Sequence, residues 1–221
     1  MTVLPALGLF VGFALVASFT PGPAVMLAVH NAMHFGWRRA VWSSLGNISG
    51  LLVLSSLSAL GINAVLQSSA SAFGLMKTAG AAYLIWLGVQ QWRRAAAARA
   101  AASVVADDPA PTADAARAAT ASRRVLYRRG LGVALTNPKA IAFVAALFPQ
   151  FLRAGEPMAP QYMLLTATFM AVSLFALSCY AGLAVLARRP LRRYFAAGWP
   201  QRAGAMVFCG FGLALLRLHR R

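Results

Sequence analysis

The chain has 221 residues, 60% of them hydrophobic and only 11% charged, whereas a soluble domain carries about 45–50% apolar and about 25% charged residues. A water-soluble globular domain is therefore excluded as the starting class. The 21 Lys and Arg against four acids give a net charge of +17; they fall between long apolar runs, which points to an anionic membrane leaflet and not to nucleic acid.

The first uncharged stretch runs from Leu4 to about Met33 and the second from Ala40 to Leu66. A third covers Ala72 to Trp92, interrupted by Lys77. The polar segment Arg93–Arg129 follows, with Asp107, Asp108 and Asp114 and with Pro109 and Pro111 to break a continuous helix. It reads as a connector with helical ends. Apolar sequence resumes from Gly130 to Leu152 around Lys139, then from Met163 to Ala187, then from Ala203 to Leu216. The last stretch covers only about 21 Å of a ~30 Å hydrocarbon layer, so Arg202 and Arg217 are expected to snorkel to the two interfaces.

This pattern predicts an all-α integral membrane protein with six transmembrane helices. The organisation expected is a three-helix repeat over 1–92, a cytoplasmic loop over 93–129, and a second three-helix repeat over 130–221, of opposite orientation to the first. Loops one, three and five hold most of the Lys and Arg, which places them in the cytoplasm and both termini outside. The basic tail, Arg217, Arg220 and Arg221, would suit a five-span arrangement with the tail inside. The first stretch lacks the basic segment of a cleavable signal, since no Lys or Arg precedes Arg38.

Two spans carry helix breakers: Thr20-Pro21-Gly22-Pro23 in the first and Thr136-Asn137-Pro138-Lys139 in the fourth. Proline lacks the N–H an interior helix needs and crowds the preceding turn. Freed backbone groups at that depth persist only against protein or beside a wet cavity. A packing kink explains either motif alone. Interrupted helices at matching places in two inverted halves instead point to a transporter's midplane site.

These residues resemble the LysE/RhtB amino-acid exporters. The resemblance rests on Pro21-Gly22-Pro23 and Asn137-Pro138-Lys139. It also rests on Gly36-Trp37-Arg38-Arg39-Ala40 leading to Gly46 and Gly50, on Lys77-Thr78-Ala79-Gly80-Ala81-Ala82-Tyr83-Leu84 with Leu87-Gly88, and on Arg202-Ala203-Gly204. It covers the chain apart from the 93–129 loop. The resemblance implies a six-helix inner-membrane carrier that exports amino acids on an ion gradient.

The expected substrate site lies between the two breaks and comprises Thr20, Pro21, Gly22, Pro23, Asn47, Thr136, Asn137, Pro138 and Lys139. Helix N-termini beginning near Pro23 and Lys139 would offer free N–H groups to a carboxylate. A lysine at mid-bilayer costs about 2.5–3.5 kcal/mol, so Lys139 is expected either to meet anionic substrate or to cap freed carbonyls. Asn47, between Gly46 and Gly50, serves either the site or helix packing. Lys77 is expected to snorkel, and His30 and His34 to close the inner end of the first helix and not to bind metal.

All four acids lie in loops, at Asp107, Asp108, Asp114 and Glu156, so no carboxylate is on hand for a cationic side chain. A neutral amino acid or close analogue is favoured, as an exported substrate of a secondary transporter and not of an enzyme. A coupling proton would have to use His30, His34, Lys139, a tyrosine such as Tyr83 or Tyr180, or the substrate itself. No phosphate-binding loop is present, and no cofactor is called for. Gly8/Gly12 and Gly46/Gly50 could pack helices or form a homodimer. The rival readings are a thiol-redox relay using Cys179 and Cys209, a channel, and export of some other small metabolite.

Overall fold

The computed structural model describes residues 3–68, 121–153 and 156–186 and, with gaps, 78–93 and 202–213. The expectations for Lys77, for residues 94–120 and for the arginines beyond position 213 lie outside the described residues. Six helices are delimited: α1 Val3–Phe19, α2 Pro23–Phe35, α3 Trp37–Ser68, α4 Arg123–Thr136, α5 Pro138–Phe151 and α6 Met158–Leu186. The described residues of 78–93 and 202–213 are helical as well. The chain is an all-α integral membrane protein.

α1 and α2 form one bent pair, at 55°, and α4 and α5 another, at 52°. Each bent pair is followed by a long apolar helix, α3 in the first half and α6 in the second. α3 has 32 residues, or about 48 Å of helix, more than the ~30 Å a hydrocarbon layer requires. Part of that excess lies at its start. Arg38 and Arg39, expected in a loop, occupy the exposed first turn of α3. The connection from α2 shrinks to Gly36, whose φ of 77° is the left-handed backbone that glycine adopts without penalty.

The halves meet through glycine. A Cβ on Gly46 would collide with the Tyr127 carbonyl, one on Gly130 with the Ser43 carbonyl, and one on Gly50 would sit 2.5 Å from Ala134 Cβ. α3 and α4 therefore lie backbone to backbone, the approach that small residues permit between membrane helices. The Gly46/Gly50 pair is spent inside the molecule, whereas Gly8 and Gly12 meet nothing within 4 Å. Glycines also join the remaining helical segments, with Gly88 against Cys209 and Gly212 against Ile85.

Polar groups separate the two ends. Arg123 stacks over Trp42 at 5.6 Å and Arg202 over Trp92 at 5.5 Å, as amphipathic side chains do at an interface. At the other end Arg153 pairs with Glu156 at 3.3 Å, beside Leu7 of α1. Gln161 holds both sides of this pair, accepting from Arg153 N and donating to the Pro157 carbonyl.

Candidate functional site

The first break is closed by side chains from the other half of the chain. An α-helix needs the N–H of residue i for the carbonyl of residue i−4, so Pro21 strands the carbonyl of Ala17 and Pro23 that of Phe19. Lys139 Nζ donates to Ala17 O at 2.8 Å and to Thr20 O at 2.6 Å. Tyr180 Oη donates to Phe19 O at 2.7 Å. The end of α1 is thus capped by side chains from α5 and α6. The second break closes more locally. Pro138 leaves Ala134 O without its usual donor, and Asn137 N takes it at 3.3 Å, while Asn137 Oδ1 accepts from Lys139 N at 3.1 Å.

Gly22 makes room for the lysine. A Cβ there would lie 3.1 Å from Lys139 Nζ and 3.4 Å from its Cε. Its backbone is extended (φ −154°, ψ −174°), which any residue can adopt, so the requirement is for space and not for conformation. Just beyond, α2 starts on Pro23 with no side-chain cap. The N–H groups of Ala24 and Val25, two residues on the cavity wall, have no acceptor within their helix.

A cavity of about 30 Å³ adjoins the breaks, with Ser18, Asn47, Asn137, Lys139, Phe143 and Phe169 among its walls. It has room for one or two waters and none for an amino acid. Asn47 Oδ1 and Ser18 Oγ are buried without a hydrogen-bond partner among the described residues. Orphaned polar atoms in a buried setting are costly, and here they share a wall with an ammonium.

Of the residues expected at the site, Asn47, Asn137 and Lys139 line this cavity and Gly22 abuts the lysine. Thr20 is buried behind the break, its hydroxyl returned to Val16 O at 2.6 Å. Pro21 is buried, Pro23 is exposed and Pro138 is partly buried. Thr136 is exposed and donates to Gly132 O at 2.8 Å, so both threonine hydroxyls serve their own helices. His30 and His34 stack at 4.3 Å on the exposed side of α2; no cluster of three metal-ligating side chains occurs among the described residues. Ser18, Ser173, Phe143 and Phe169 also line the cavity and were not singled out from sequence. A hydroxyl inside an otherwise apolar span was the available signal for the serines; the two phenylalanines gave none.

The LysE type translocator family model matches residues 15–219. The chain belongs to the LysE-type translocator family. Among its relatives, the homoserine/homoserine lactone efflux protein of Salmonella typhimurium is 39% identical over 167 residues, covering 76% of this chain and 74% of that protein. An uncharacterized membrane protein of Vibrio cholerae is 32% identical, covering 91% of this chain and 92% of its own length. The threonine efflux protein of Escherichia coli K12 is 25% identical, with 91% and 93% covered. No solved structure matches this LysE-type chain significantly.

Proposed function

We propose that this LysE-type translocator exports a small neutral amino acid, of the homoserine or threonine kind, and that it binds it where the two broken helices meet. The observation that carries the reading is Lys139. Its ammonium bridges the first break from the second half and forms part of the cavity wall.

The cavity widens to admit a zwitterion, and each group of one then has a counterpart on its walls. The carboxylate faces Lys139 Nζ and the free N–H groups at the start of α2, where the helix dipole adds positive potential. The ammonium, or a side-chain hydroxyl, faces the unpartnered Asn47 Oδ1 and Ser18 Oγ. A short side chain lies against Phe143 and Phe169. No carboxylate lines the cavity among the described residues, which disfavours a dibasic substrate such as lysine. The names of the relatives agree with a short, hydroxyl-bearing side chain.

Substrate binding also loosens the site. A carboxylate carries a full charge and attracts an ammonium more strongly than a neutral carbonyl does. It therefore competes with Ala17 O and Thr20 O for the same donor and unties α1 from α5. Lys139 is also the ionisable side chain among the described residues of the cavity wall, and so the candidate to exchange a coupling proton. The arginine-rich end faces the cytoplasm of a bacterial inner membrane, with both termini outside, as the positive-inside rule requires. The halves act as two inverted three-helix repeats, 1–92 and 130–221, rocking about this point.

The test is counterflow in proteoliposomes preloaded with a panel of unlabelled amino acids. Homoserine and threonine are expected to accumulate label and lysine is not. Absence of counterflow with every neutral amino acid, or lysine exchange at the same rate, would overturn the proposal.

A further inference from the structure

Two cavities lie along the same helices. The central one has Phe143 of α5 and Phe169 of α6 in its wall. The other, about 60 Å³, is bounded by Phe151, Leu7, Gln161 and the Arg153–Glu156 pair. The eight positions from Phe143 to Phe151 and from Phe169 back to Gln161 each correspond to about 12 Å of helix. That interval is filled with rings. Phe143 and Phe169 stack at 4.4 Å with planes 19° apart. Phe148 meets both edge-on, at 6.3 and 6.2 Å. Phe10 of α1 packs on Phe148 at 5.4 Å and on Phe151 at 5.1 Å.

The helix carrying half of the stack is not regular. Residues Phe143–Leu147 form a π-helical turn, a rare geometry in which one extra residue is accommodated. Pro149 accounts for it. It supplies no N–H to the carbonyl of Ala145, four residues earlier, and its ring crowds that oxygen, so the turn widens. Moving the extra residue along the helix would rotate Phe143 about 100° relative to Phe148 and Phe151, off the face of Phe169.

We infer that the Phe143–Phe169 stack, backed by Phe10 and Phe148, is the gate between the central site and the Arg153–Glu156 end, with the π-turn as its hinge. The inference rests on the proposed transport reading for its direction: the larger cavity is the vestibule through which exported substrate leaves. The gate is apolar and fully packed, so a zwitterion cannot cross it while the rings are stacked. Val25 of α2 and Leu177 of α6, also on the cavity wall, belong instead to a second core cluster in which Ala28, Ala181 and Ala184 pack with Tyr180 and Phe19. The two closures are therefore unlike: the first holds the face-to-face pair Phe143–Phe169, whereas Phe19 and Tyr180 in the second are tilted at 45° and 6.0 Å apart.

The experiment is thiol accessibility in the full chain with Cys179 and Cys209 replaced by Ala. Ser173→Cys reports on the central cavity, and Glu156→Cys in a parallel sample marks the side of the vestibule for a membrane-impermeant maleimide. Loss of one stack, about 0.5–1.5 kcal/mol beyond area burial, corresponds to a several-fold larger open population. Phe143→Leu and Phe169→Leu, which keep apolar bulk, are expected to raise Ser173→Cys labelling by about threefold to tenfold from the Glu156 side alone. Phe143→Ala should raise it further. Unchanged labelling in monodisperse Leu variants, or an equal rise from both sides, would refute the gate. Labelling does not depend on any transported substrate. A gated but transport-inactive protein would sink the transport reading and leave the gate, whereas normal counterflow without a labelling change would do the reverse.

Discussion

Replacing Lys139 with Met separates a structural clasp from a substrate ligand, because the two roles predict different magnitudes. The ammonium donates at 2.8 and 2.6 Å to Ala17 O and Thr20 O, and bonds from a charged donor are worth about 1.5–3 kcal/mol each. Their loss therefore costs about 3–6 kcal/mol. Against this, the variant no longer desolvates a charge, a penalty of several kcal/mol in a buried site. The two terms oppose each other, and the net change in stability is expected within about 2 kcal/mol, or roughly 4–8 °C in melting temperature at this chain length. Transport has no such compensation. Losing a charge-assisted contact of about 3 kcal/mol to the carboxylate lowers the rate about a hundredfold. The assay pairs thermal unfolding in detergent with initial counterflow rates in proteoliposomes. A folded Lys139→Met protein that keeps wild-type counterflow would refute the substrate role. A large drop in melting temperature with unchanged substrate KM in the residual activity would assign the lysine to clasping alone.

Four further outcomes are expected. Gly22→Ala should fold and transport with a modest loss, since the lysine end need yield only a few tenths of an ångström. Gly22→Val, whose branched side chain fills the space of the ammonium, should abolish counterflow. Gly46→Ala places a Cβ against backbone that cannot step aside and should cost about 2 kcal/mol or more in unfolding; Gly132→Ala, which faces open space, should not. Tyr180→Phe leaves Phe19 O without its cap and should lower stability by about 1–3 kcal/mol, read as melting temperature, while counterflow persists. Joint replacement of Cys179 and Cys209 by Ala should leave counterflow intact; its loss would revive a thiol chemistry that the separate settings of these free thiols do not suggest.

Much of the architecture is legible in the sequence because its causes are local. Hydrophobic runs of membrane length specify spans wherever they occur. Pro21, Pro23 and Pro138 end their helices by lacking a donor and by crowding the preceding turn, whatever surrounds them. The helix starts at Pro23 and Pro138 follow for the same reason. Arg38 and Arg39 were placed one element too early, since a single glycine suffices for the turn and nothing in composition announces so short a connection.

What fills the breaks is not local. Ala17 O and Lys139 are 122 positions apart, and Phe19 O and Tyr180 are 161 apart. Sequence shows that carbonyls are stranded and that a buried lysine needs acceptors, but not that each is the answer to the other. Likewise, Gly46 and Gly50 announce a close helix contact, and only the packed bundle assigns it to α4 in place of a second copy. The phenylalanines of the stack around Phe143 and Phe169 are indistinguishable in sequence from residues facing lipid. Their role depends on which helix faces turn inward, and in a chain this apolar that is decided by backbone fit between helices, because burial alone favours no face over another.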